Sequence, residues 1–359
     1  MDRIVLKWVT ALTGILTVAV CITLLLLPKL HEDSVLAAER YQELLSGTVL
    51  PEEDTETVSV MVQLEEEMVE PDDDMNAQLR IELPDGVEEQ NLEIECDYLK
   101  QTIYIRIPSA VKDYFSEYKV KGKCDHIAAL SYSIKGEKGI IELKLDKVYE
   151  LQSGVEDGSL YLDFINPHDI YDKIIVVDAG HGGVDGGATK LNASEKDINL
   201  AIVLELKELL DHSTGNIGVY YTRTTDKTLT LDQRVQLANK AEADLFISVH
   251  NNASHNGNFS SLHGTEVLYS ESQTGEFSSE EFAEICCRNV VEALESKNKG
   301  LVAGDRIYII RTSEVPVALI EVGYMTNREE LKMLQTEEYQ KLAAEGIYKA
   351  ILEAFEKGY

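Results

Sequence analysis

Hydrophobic and polar residues alternate with a period of two between Leu79 and Ile165. The clearest runs place an apolar residue at every second position: Ile103, Ile105 and Ile107; Ile141, Leu143 and Leu145; Leu160, Leu162 and Phe164. This alternation is typical of strands with one buried face, and turn signals such as Lys135-Gly136 separate the runs. Because no convincing helical pattern interrupts them, this region is predicted to be a small β-sandwich or open barrel.

From Lys173 onward, continuous apolar runs alternate with stretches of helical periodicity. Ile174 to Val177 has the pattern of a strand buried on both faces, and apolar residues then recur at helical spacing from Ile198 to Leu210. Further strands are predicted at Val219–Thr222, Leu245–Val249, Thr265–Tyr269, Arg306–Ile310 and Val317–Val322, and helices at Leu231–Lys240, Ser278–Glu295 and Thr336–Phe355. Interleaved strands and helices predict an α/β domain whose mostly parallel sheet is flanked by helices.

The N-terminal residues contain a long apolar run. Trp8 to Leu27 carries no charged residue, and a helix of about 20 residues spans the roughly 30 Å of a membrane's hydrocarbon core. Arg3 and Lys7 precede the run, so the positive-inside rule predicts a signal-anchor with a cytoplasmic N-terminus. A cleaved signal peptide is the alternative, because Ala37 could belong to a small-residue cleavage site. Either interpretation places the body of the chain outside the cytosol.

An acidic stretch follows the apolar run. Glutamates and aspartates are concentrated between Pro51 and Asp74, which predicts a solvated stalk, although the alternation of Val58, Val60 and Val62 leaves a strand open. The predicted division of the chain is a cytoplasmic N-terminus at 1–7, a transmembrane signal-anchor at 8–27, an acidic stalk or linker at 28–76, the β-sandwich-like domain at 77–170 and the catalytic domain at 171–359.

Charge and cysteine content narrow the possible functions. The 359 residues carry a net charge of −31 with no basic stripe, which argues against nucleic acid as a partner. The five cysteines contain no Cys-x-x-Cys pair, so a thiolate metal site is not expected. Cys96 and Cys124 could form a disulfide or could be two buried apolar residues, and the sequence leaves this open.

Chemistry-bearing residues follow the predicted strands of the α/β region. His181 follows the first strand, His250 ends the third, and Glu321 lies in the last, while Glu195 begins the first helix. Carboxyl ends of parallel strands gather at one sheet edge, so two histidines and two glutamates are expected to converge there. Singly, each has an ordinary alternative: a local hydrogen bond for His181, a helix-dipole acid for Glu195 and a core histidine for His250. Glu321 is harder to dismiss among apolar neighbours.

Two imidazoles and one carboxylate are the ligand set of an open catalytic zinc site. Zinc lowers the pKa of bound water from about 15.7 to roughly 7 and polarises a carbonyl, and a further carboxylate can transfer protons. The predicted reaction is metal-assisted amide hydrolysis with one Zn²⁺ per chain. Asp178, Asn252 and Arg311 are further candidates that would support the ligands from behind.

The same region contains an ordered set of motifs: Asp178-Ala179-Gly180-His181-Gly182-Gly183, Ser194-Glu195-Lys196-Asp197, Tyr221-Thr222-Arg223-Thr224, Ser248-Val249-His250, Gly264-Thr265-Glu266-Val267 and Ile320-Glu321-Val322-Gly323. With this set, essentially all of 173 to 356 resembles a known family, the zinc-dependent N-acetylmuramoyl-L-alanine amidases (Amidase_3). The resemblance implies that His181, Glu195 and His250 bind zinc and that Glu321 is the catalytic carboxylate. The implied substrate is the bond between the lactyl group of N-acetylmuramic acid and L-alanine in peptidoglycan.

The resemblance also implies a setting. It predicts a bacterial cell-wall hydrolase attached to the cell membrane by its N-terminal helix, with the catalytic body on the wall side and peptidoglycan as its partner. More weakly, the β region resembles the AMIN-like domains that often precede this catalytic domain, which implies wall targeting. Two alternatives stay open: another zinc peptidase acting on wall peptides, and a wall-binding protein without catalysis.

Overall fold

Two antiparallel sheets form the first part of the fold. The computed structural model describes residues 62–64, 77–123, 125–275 and 277–359. The nine strands are β1 (Val62–Leu64), β2 (Leu79–Glu82), β3 (Glu93–Asp97), β4 (Thr102–Ile107), β5 (Val120–Gly122), β6 (Ile127–Lys135), β7 (Lys138–Leu145), β8 (Glu150–Glu156) and β9 (Ser159–Ile165). They form a five-stranded sheet of order β1-β6-β7-β4-β3 and a four-stranded sheet of order β5-β2-β9-β8.

The alternating apolar residues of these strands point into one shared core. Ile81 and Leu162 from the smaller sheet and Ile105 and Ile141 from the larger sheet are all fully buried in the same hydrophobic cluster. The short helix α1 (Tyr114–Glu117) and two 3₁₀ turns, Glu89–Asn91 and Pro167–Asp169, complete this part of the chain. This is a β-sandwich in which the period of two has placed every second side chain between the sheets.

A six-stranded sheet forms the second part, in the order β13-β10-β14-β17-β15-β16. The strands of this part are β10 (Lys173–Ala179), the small hairpin of β11 (Thr189–Lys190) and β12 (Ala193–Ser194), β13 (Ile217–Tyr221), β14 (Leu245–Asn252), β15 (Thr265–Tyr269), β16 (Asn298–Ala303) and β17 (Val317–Tyr324). Four of them, β13, β10, β14 and β17, are parallel, whereas β15 and β16 run in the opposite direction.

Helices cover both faces of this sheet. They are α2 (Glu195–Asp211), α3 (Leu231–Lys240), α4 (Ser279–Leu294), α5 (Tyr308–Arg311), α6 (Arg328–Leu334) and α7 (Glu337–Glu356). Within β10, Ile175 and Val177 join the cluster formed with α2, α4 and α7, while Ile174 and Val176 join the cluster formed with α3 and α5. The continuous apolar run of this strand is therefore explained by burial on both faces.

The fold class predicted from the sequence is wrong because it included a membrane-spanning helix. Among the described residues, no helix is both long and apolar enough to cross a membrane. The run Trp8 to Leu27 on which that prediction depended lies outside those residues, as does most of the acidic stretch at 28–76. Within that stretch, Val62–Leu64 forms β1, which pairs antiparallel with Leu130 to Tyr132 of β6.

One strand was assigned wrongly and another was missed. Residues 308–310 of the predicted strand Arg306–Ile310 lie in helix α5, and the edge strand β16 lies earlier, at Asn298–Ala303. Ile309 and Ile310 are both buried, and a short buried apolar run does not distinguish a strand from a helix. Among the cysteines, Cys96, Cys286 and Cys287 form no disulfide, and Cys124 lies outside the described residues.

Glu150, the first residue of β8, links the sandwich to the six-stranded sheet. Its Oε1 accepts a hydrogen bond from the Tyr220 hydroxyl at 2.6 Å, and its Oε2 accepts one from the Tyr98 hydroxyl at 2.8 Å. The rings of Tyr98 and Tyr220 meet edge to face at 5.0 Å, and Val148 is buried in the core beneath α3. The two parts therefore share polar and apolar contacts.

Candidate metal centre and active site

The register of the sheet brings the candidate residues to one edge. His250 in β14 is paired with Glu321 in the parallel neighbour β17, and Glu321 is paired on its other side with Glu266 in the antiparallel β15. His181 follows the end of β10, which pairs with β14 on the opposite side. Four neighbouring strands thus bring His181, His250, Glu321 and Glu266 to one edge of the sheet, and Glu195 reaches the same edge from the start of α2.

His181, Glu195 and His250 form a compact group that could hold a metal ion, with one ligand atom from each within 4.8 Å of the others. Glu195 Oε1 lies 3.2 Å from His181 Nε2 and 3.0 Å from His250 Nδ1. The two imidazole rings are 4.9 Å apart and nearly perpendicular, at 77°. Two nitrogens and one carboxylate oxygen facing a common point fit the three-ligand set of an open catalytic zinc site.

Asp185 orients His181. Its Oδ2 lies 2.8 Å from His181 Nδ1, so it can accept a hydrogen bond from the Nδ1–H group. This orientation leaves Nε2 on the side of Glu195. A carboxylate behind a histidine ligand fixes the ring orientation and raises its basicity. His181 itself has φ 60°, within a turn rich in glycine. At Gly187, also with φ +61°, a Cβ would lie 2.6 Å from Glu195 Oε2 and 2.7 Å from His181 Cδ2, so the close approach requires glycine.

Protonation of the group follows from its contacts. Burial alone would disfavour a charged His181, but its hydrogen bonds to Asp185 and Glu195 raise its pKa to about 10. Burial opposes the charged form of Glu195 too, yet its hydrogen bonds with His181 and His250 hold its pKa well below its usual range. A proton on His181 therefore balances the buried carboxylate, and a cation could take over that role when it displaces the proton.

Glu195 is held rigidly at the first residue of α2. Its Oε2 accepts a hydrogen bond from the Ala188 backbone N–H at 2.9 Å, and its Oε1 accepts one from the Asn251 N–H at 3.1 Å. Asn199, one turn along the helix, donates to the Gly180 carbonyl at 3.1 Å. An acid in the first turn suits the helix dipole, and these contacts direct it inward rather than into solvent. Its side chain is only 6% exposed.

Asp178 supports the turn from beneath. It is fully buried and accepts hydrogen bonds of 2.6 Å from Thr222, Arg234 and Ser248. Burial raises the pKa of its carboxyl, but Arg234 and the two hydroxyls outweigh that effect and lower the pKa. Arg234 also donates to the His181 carbonyl at 2.6 Å, which ties the ion pair directly to a candidate ligand.

A second buried arginine, Arg223, donates hydrogen bonds to the same turn. Arg223 donates from Nε to the Ala179 carbonyl at 2.8 Å and from Nη2 to the Gly180 carbonyl at 2.9 Å. The same Nη2 reaches the Lys196 carbonyl in α2 at 2.8 Å. Together these bonds fix the spacing between the turn that carries His181 and the helix that carries Glu195.

Glu321 differs from the other carboxylates of the site. Its Oε2 is one of three buried side-chain polar atoms in the described residues that lack a hydrogen-bond partner. Burial, followed by the negative charges of Glu195 and Glu266, raises its pKa well above the usual value. A carboxyl group with one buried, unpartnered oxygen beside a candidate metal centre is suited to accept or donate a proton.

Of the three predicted supporting residues, Asp178 and Asn252 lie at the site. Asn252 donates a short hydrogen bond to Glu266 Oε1, and its Oδ1 accepts from the Ala253 N–H at 2.7 Å. Arg311 lies elsewhere: it is exposed at the end of α5 and donates to the carbonyls of Asp305 and Arg306. Because β15 and β16 run opposite to β17, the end of β16 that leads toward Arg311 falls at the other edge of the sheet.

Several residues of the site were not recognised as such from the sequence. Asp185 could have been found, because it follows His181 by only four residues within the same glycine-rich motif. Glu266 could not, because its position beside Glu321 depends on the reversed direction of β15. The roles of Arg223 and Arg234 depend on bonds to backbone carbonyls, which leave no spacing pattern in a sequence.

Most of the α/β region matches known proteins. A family model described as N-acetylmuramoyl-L-alanine amidase (Amidase_3) matches residues 175–353. The uncharacterized protein YqiI of Bacillus subtilis (strain 168) is 36% identical over 179 residues, covering 50% of this chain and 83% of YqiI. The germination-specific N-acetylmuramoyl-L-alanine amidase of the same organism is 34% identical over 200 residues, covering 52% of this chain and 81% of that protein.

A solved structure of an N-acetylmuramoyl-L-alanine amidase from Clostridium difficile 630 is 33% identical, with a TM-score of 0.49 and coverage of 52% of this chain and 98% of that one. The sequence matches alone cover most of the length of two relatives at more than 30% identity. They confirm the enzyme class predicted from the sequence, a hydrolase of the cell wall. The chain belongs to the Amidase_3 family of N-acetylmuramoyl-L-alanine amidases.

Proposed function

We propose that this chain is a zinc amidase that hydrolyses the bond between the lactyl group of N-acetylmuramic acid and L-alanine of the peptidoglycan stem peptide. The observation that carries the proposal is the convergence of His181, Glu195 and His250 beside Glu321, whose Oε2 has no hydrogen-bond partner. Peptidoglycan lies outside the cytoplasmic membrane, so this activity belongs to the extracytoplasmic side of the cell.

The three ligands and Glu321 have separate roles in this proposal. His181, Glu195 and His250 would hold the ion, and a bound zinc ion would polarise the scissile carbonyl and acidify water. Glu321 accepts the proton of the attacking water and delivers it to the leaving amine of L-alanine. Its raised pKa supports this exchange, because a carboxyl group whose pKa lies above its usual value holds the proton of the water more readily before delivering it to the amine.

We further propose that the chain is divided as the sequence suggested, with 171–359 as the catalytic domain and 77–170 as a domain for wall attachment. The sandwich offers no candidate metal group among its described residues, which supports a binding or spacing role rather than a second active site. Its contacts through Glu150 would hold it in place beside the catalytic sheet.

Mass spectrometry of purified peptidoglycan, digested by the zinc-loaded full chain, tests the proposal. We expect free stem peptides that begin with L-alanine. Glu321→Gln should keep its zinc, measured in the same samples, and should lose about a thousandfold in rate. Glu137→Gln, which changes an exposed glutamate in the turn between β6 and β7, is the matched control and should behave like the parent.

Other products would contradict the proposal. Cleavage inside the stem peptide would identify a zinc peptidase instead. A zinc-loaded chain that binds peptidoglycan and releases nothing would identify a wall-binding protein. An active Glu321→Gln variant would remove Glu321 from the mechanism while leaving the amidase intact.

A further inference from the structure

Two cationic side chains lie over the same aromatic ring, which belongs to a loop that follows the strand of His250. The guanidinium carbon of Arg328 lies 3.9 Å from the centre of the Phe259 ring, and Lys190 Nζ lies 5.9 Å from it. Phe259 is half-buried and packs against the hydrophobic core, so the ring is a fixed support for both cations. We refer to Lys190, Phe259 and Arg328 as the cationic rim.

The rim joins the three segments that carry the site. Lys190 is in the β11–β12 hairpin and pairs with Ala193, two residues before Glu195. Phe259 is in the loop that follows Asn252, at the end of the strand that carries His250. Arg328 begins α6, directly after the segment that follows Glu321 and β17.

Hydrogen bonds hold these segments together. The Ser254 N–H donates to Thr326 Oγ1 at 2.8 Å, and the Ser260 N–H donates to the Thr326 carbonyl at 2.9 Å. Thr326 is two residues before Arg328, so the loop of Phe259 and the start of α6 form one wall. Lys190 pairs with Ala193 across the hairpin, and Glu195 follows Ala193 by two residues. The spacing of paired strands and the length of two residues therefore place the backbones of Lys190 and Glu195 within about 12 Å of each other.

The two cations of the rim lack acidic partners in a strongly acidic chain. The sequence has 64 acidic and 33 basic residues, and two of the other cations around the site have acidic partners: Lys196 pairs with Asp226 at 2.6 Å and Arg234 with Asp178 at 2.6 Å. Neither Lys190 nor Arg328 forms an ion pair within the described part of the chain. Two cations without an internal acid, held on one ring and carried by segments that adjoin the candidate ligands, favour an anionic ligand from outside.

We propose that the cationic rim binds the α-carboxylate of the second residue of the stem peptide, the one that follows L-alanine. This inference rests on the proposed function, because it assumes that the amide before L-alanine lies at the metal centre. The α-carboxylate of the second residue then lies within about 7 Å of the scissile bond, within the reach of a long side chain on the rim. Arg328 supplies paired donors that match a carboxylate, and Lys190 supplies a second positive charge.

Two matched substrates separate this role from general support of the loop. Both are muramyl peptides; one has glutamate as the second residue, with a free α-carboxylate, and the other has the corresponding α-amide. We expect the parent, as the zinc-loaded full chain, to show a kcat/KM about tenfold higher for the carboxylate than for the amide, as one charge-assisted contact provides.

Removing the charges should remove that preference. In Arg328→Gln, kcat/KM should fall about tenfold for the carboxylate substrate and stay the same for the amide, and Lys190→Gln should do so to a smaller extent. Arg328→Lys keeps the charge and should retain part of the preference. Lys332→Gln is the matched control, because this exposed lysine is in the same helix and pairs only with Glu329 among the described residues. It should behave like the parent.

Binding gives a readout that does not depend on turnover. In the Glu321→Gln background, calorimetry should show tighter binding of the carboxylate peptide than of the amide, and this difference should disappear when Arg328→Gln is added. A parent that cleaves both peptides equally well at the lactyl–alanine bond would overturn the rim proposal and leave the amidase function intact. Equal losses on both peptides in Arg328→Gln would assign the Arg328–Phe259 contact to loop stability instead. A parent that cleaves neither peptide at that bond would overturn the proposed function.

Discussion

Replacing Arg234 with methionine removes the cation beneath the His181 turn and leaves most of the side-chain volume in place. In the parent, Arg234 Nη1 contacts Asp178 Oδ1 at 2.6 Å, and both side chains are buried, with 3% and 0% exposed. The variant keeps a buried carboxylate that retains only the hydroxyls of Thr222 and Ser248 as partners.

The size of the effect follows from those contacts. Breaking a buried ion pair by removing one partner typically costs about 3–5 kcal/mol, because the remaining charge is buried without compensation. The Ala179 carbonyl keeps its bond from Arg223, so only the His181 carbonyl loses its donor, at about 1 kcal/mol. We therefore expect Arg234→Met to lower the free energy of unfolding by about 4 kcal/mol. Arg234→Lys, which keeps the charge, should lower it by about half as much.

Urea denaturation of the metal-free full chain, followed by far-ultraviolet circular dichroism, measures the change. The double variant Asp178→Asn/Arg234→Met should be more stable than the sum of the single effects predicts, because the uncompensated charge is gone. Low pH gives a second check. Since the folded-state pKa of Asp178 is lowered, its contribution is present above its unfolded pKa near 4 and is lost as pH falls through its folded value, and Arg234→Met should weaken that dependence. A loss below about 1 kcal/mol with additive single effects would refute the reasoning.

Other parts of the site give three further predictions. Gly187→Ala should weaken zinc binding at least tenfold in a chelator competition assay, because its Cβ would crowd Glu195 and His181; unchanged affinity would contradict this. Asp185→Asn should weaken zinc binding about 10- to 100-fold by isothermal titration calorimetry, since it removes the charge behind His181. The folded pKa of His181 is raised to about 10, so its contribution is complete below its unfolded pKa near 6.5 and is lost as pH rises toward 10. Metal-free protein should therefore lose thermal stability across that range; a flat profile in differential scanning calorimetry would argue against it.

The sequence predicts much of the α/β region because two signals agree there. The apolar run of β10 is buried on both faces, and the helix from Leu231 to Lys240 was predicted with its observed bounds. A strand buried on both faces has a continuous apolar run, and a helix with one buried face has apolar residues at helical spacing. Each of these elements could therefore be predicted from its own residues, without knowing which other elements pack against it. The convergence of His181, His250 and Glu321 followed from the parallel direction of three strands.

The rest depended on contacts that a sequence does not display. The reversal of β15 decides that Glu266 lies beside Glu321 and that Arg311 lies at the other edge, yet no residue of β15 marks its direction. Ile309 and Ile310 are buried in a helix too short to reveal its period. The membrane helix was inferred from hydropathy alone, and the described residues contain no such helix.

The Glu150 junction has a consequence for dissecting this protein. Cutting the chain at 171 would remove the acceptor of the Tyr220 hydroxyl and would uncover the apolar surface on which Val148 packs. A catalytic fragment that begins at 171 would therefore lack these contacts beside β13, the edge strand next to β10. If such a fragment lost activity, the disrupted contacts could account for the loss as well as the missing wall attachment. Experiments on the catalytic sheet should therefore keep the sandwich in the chain.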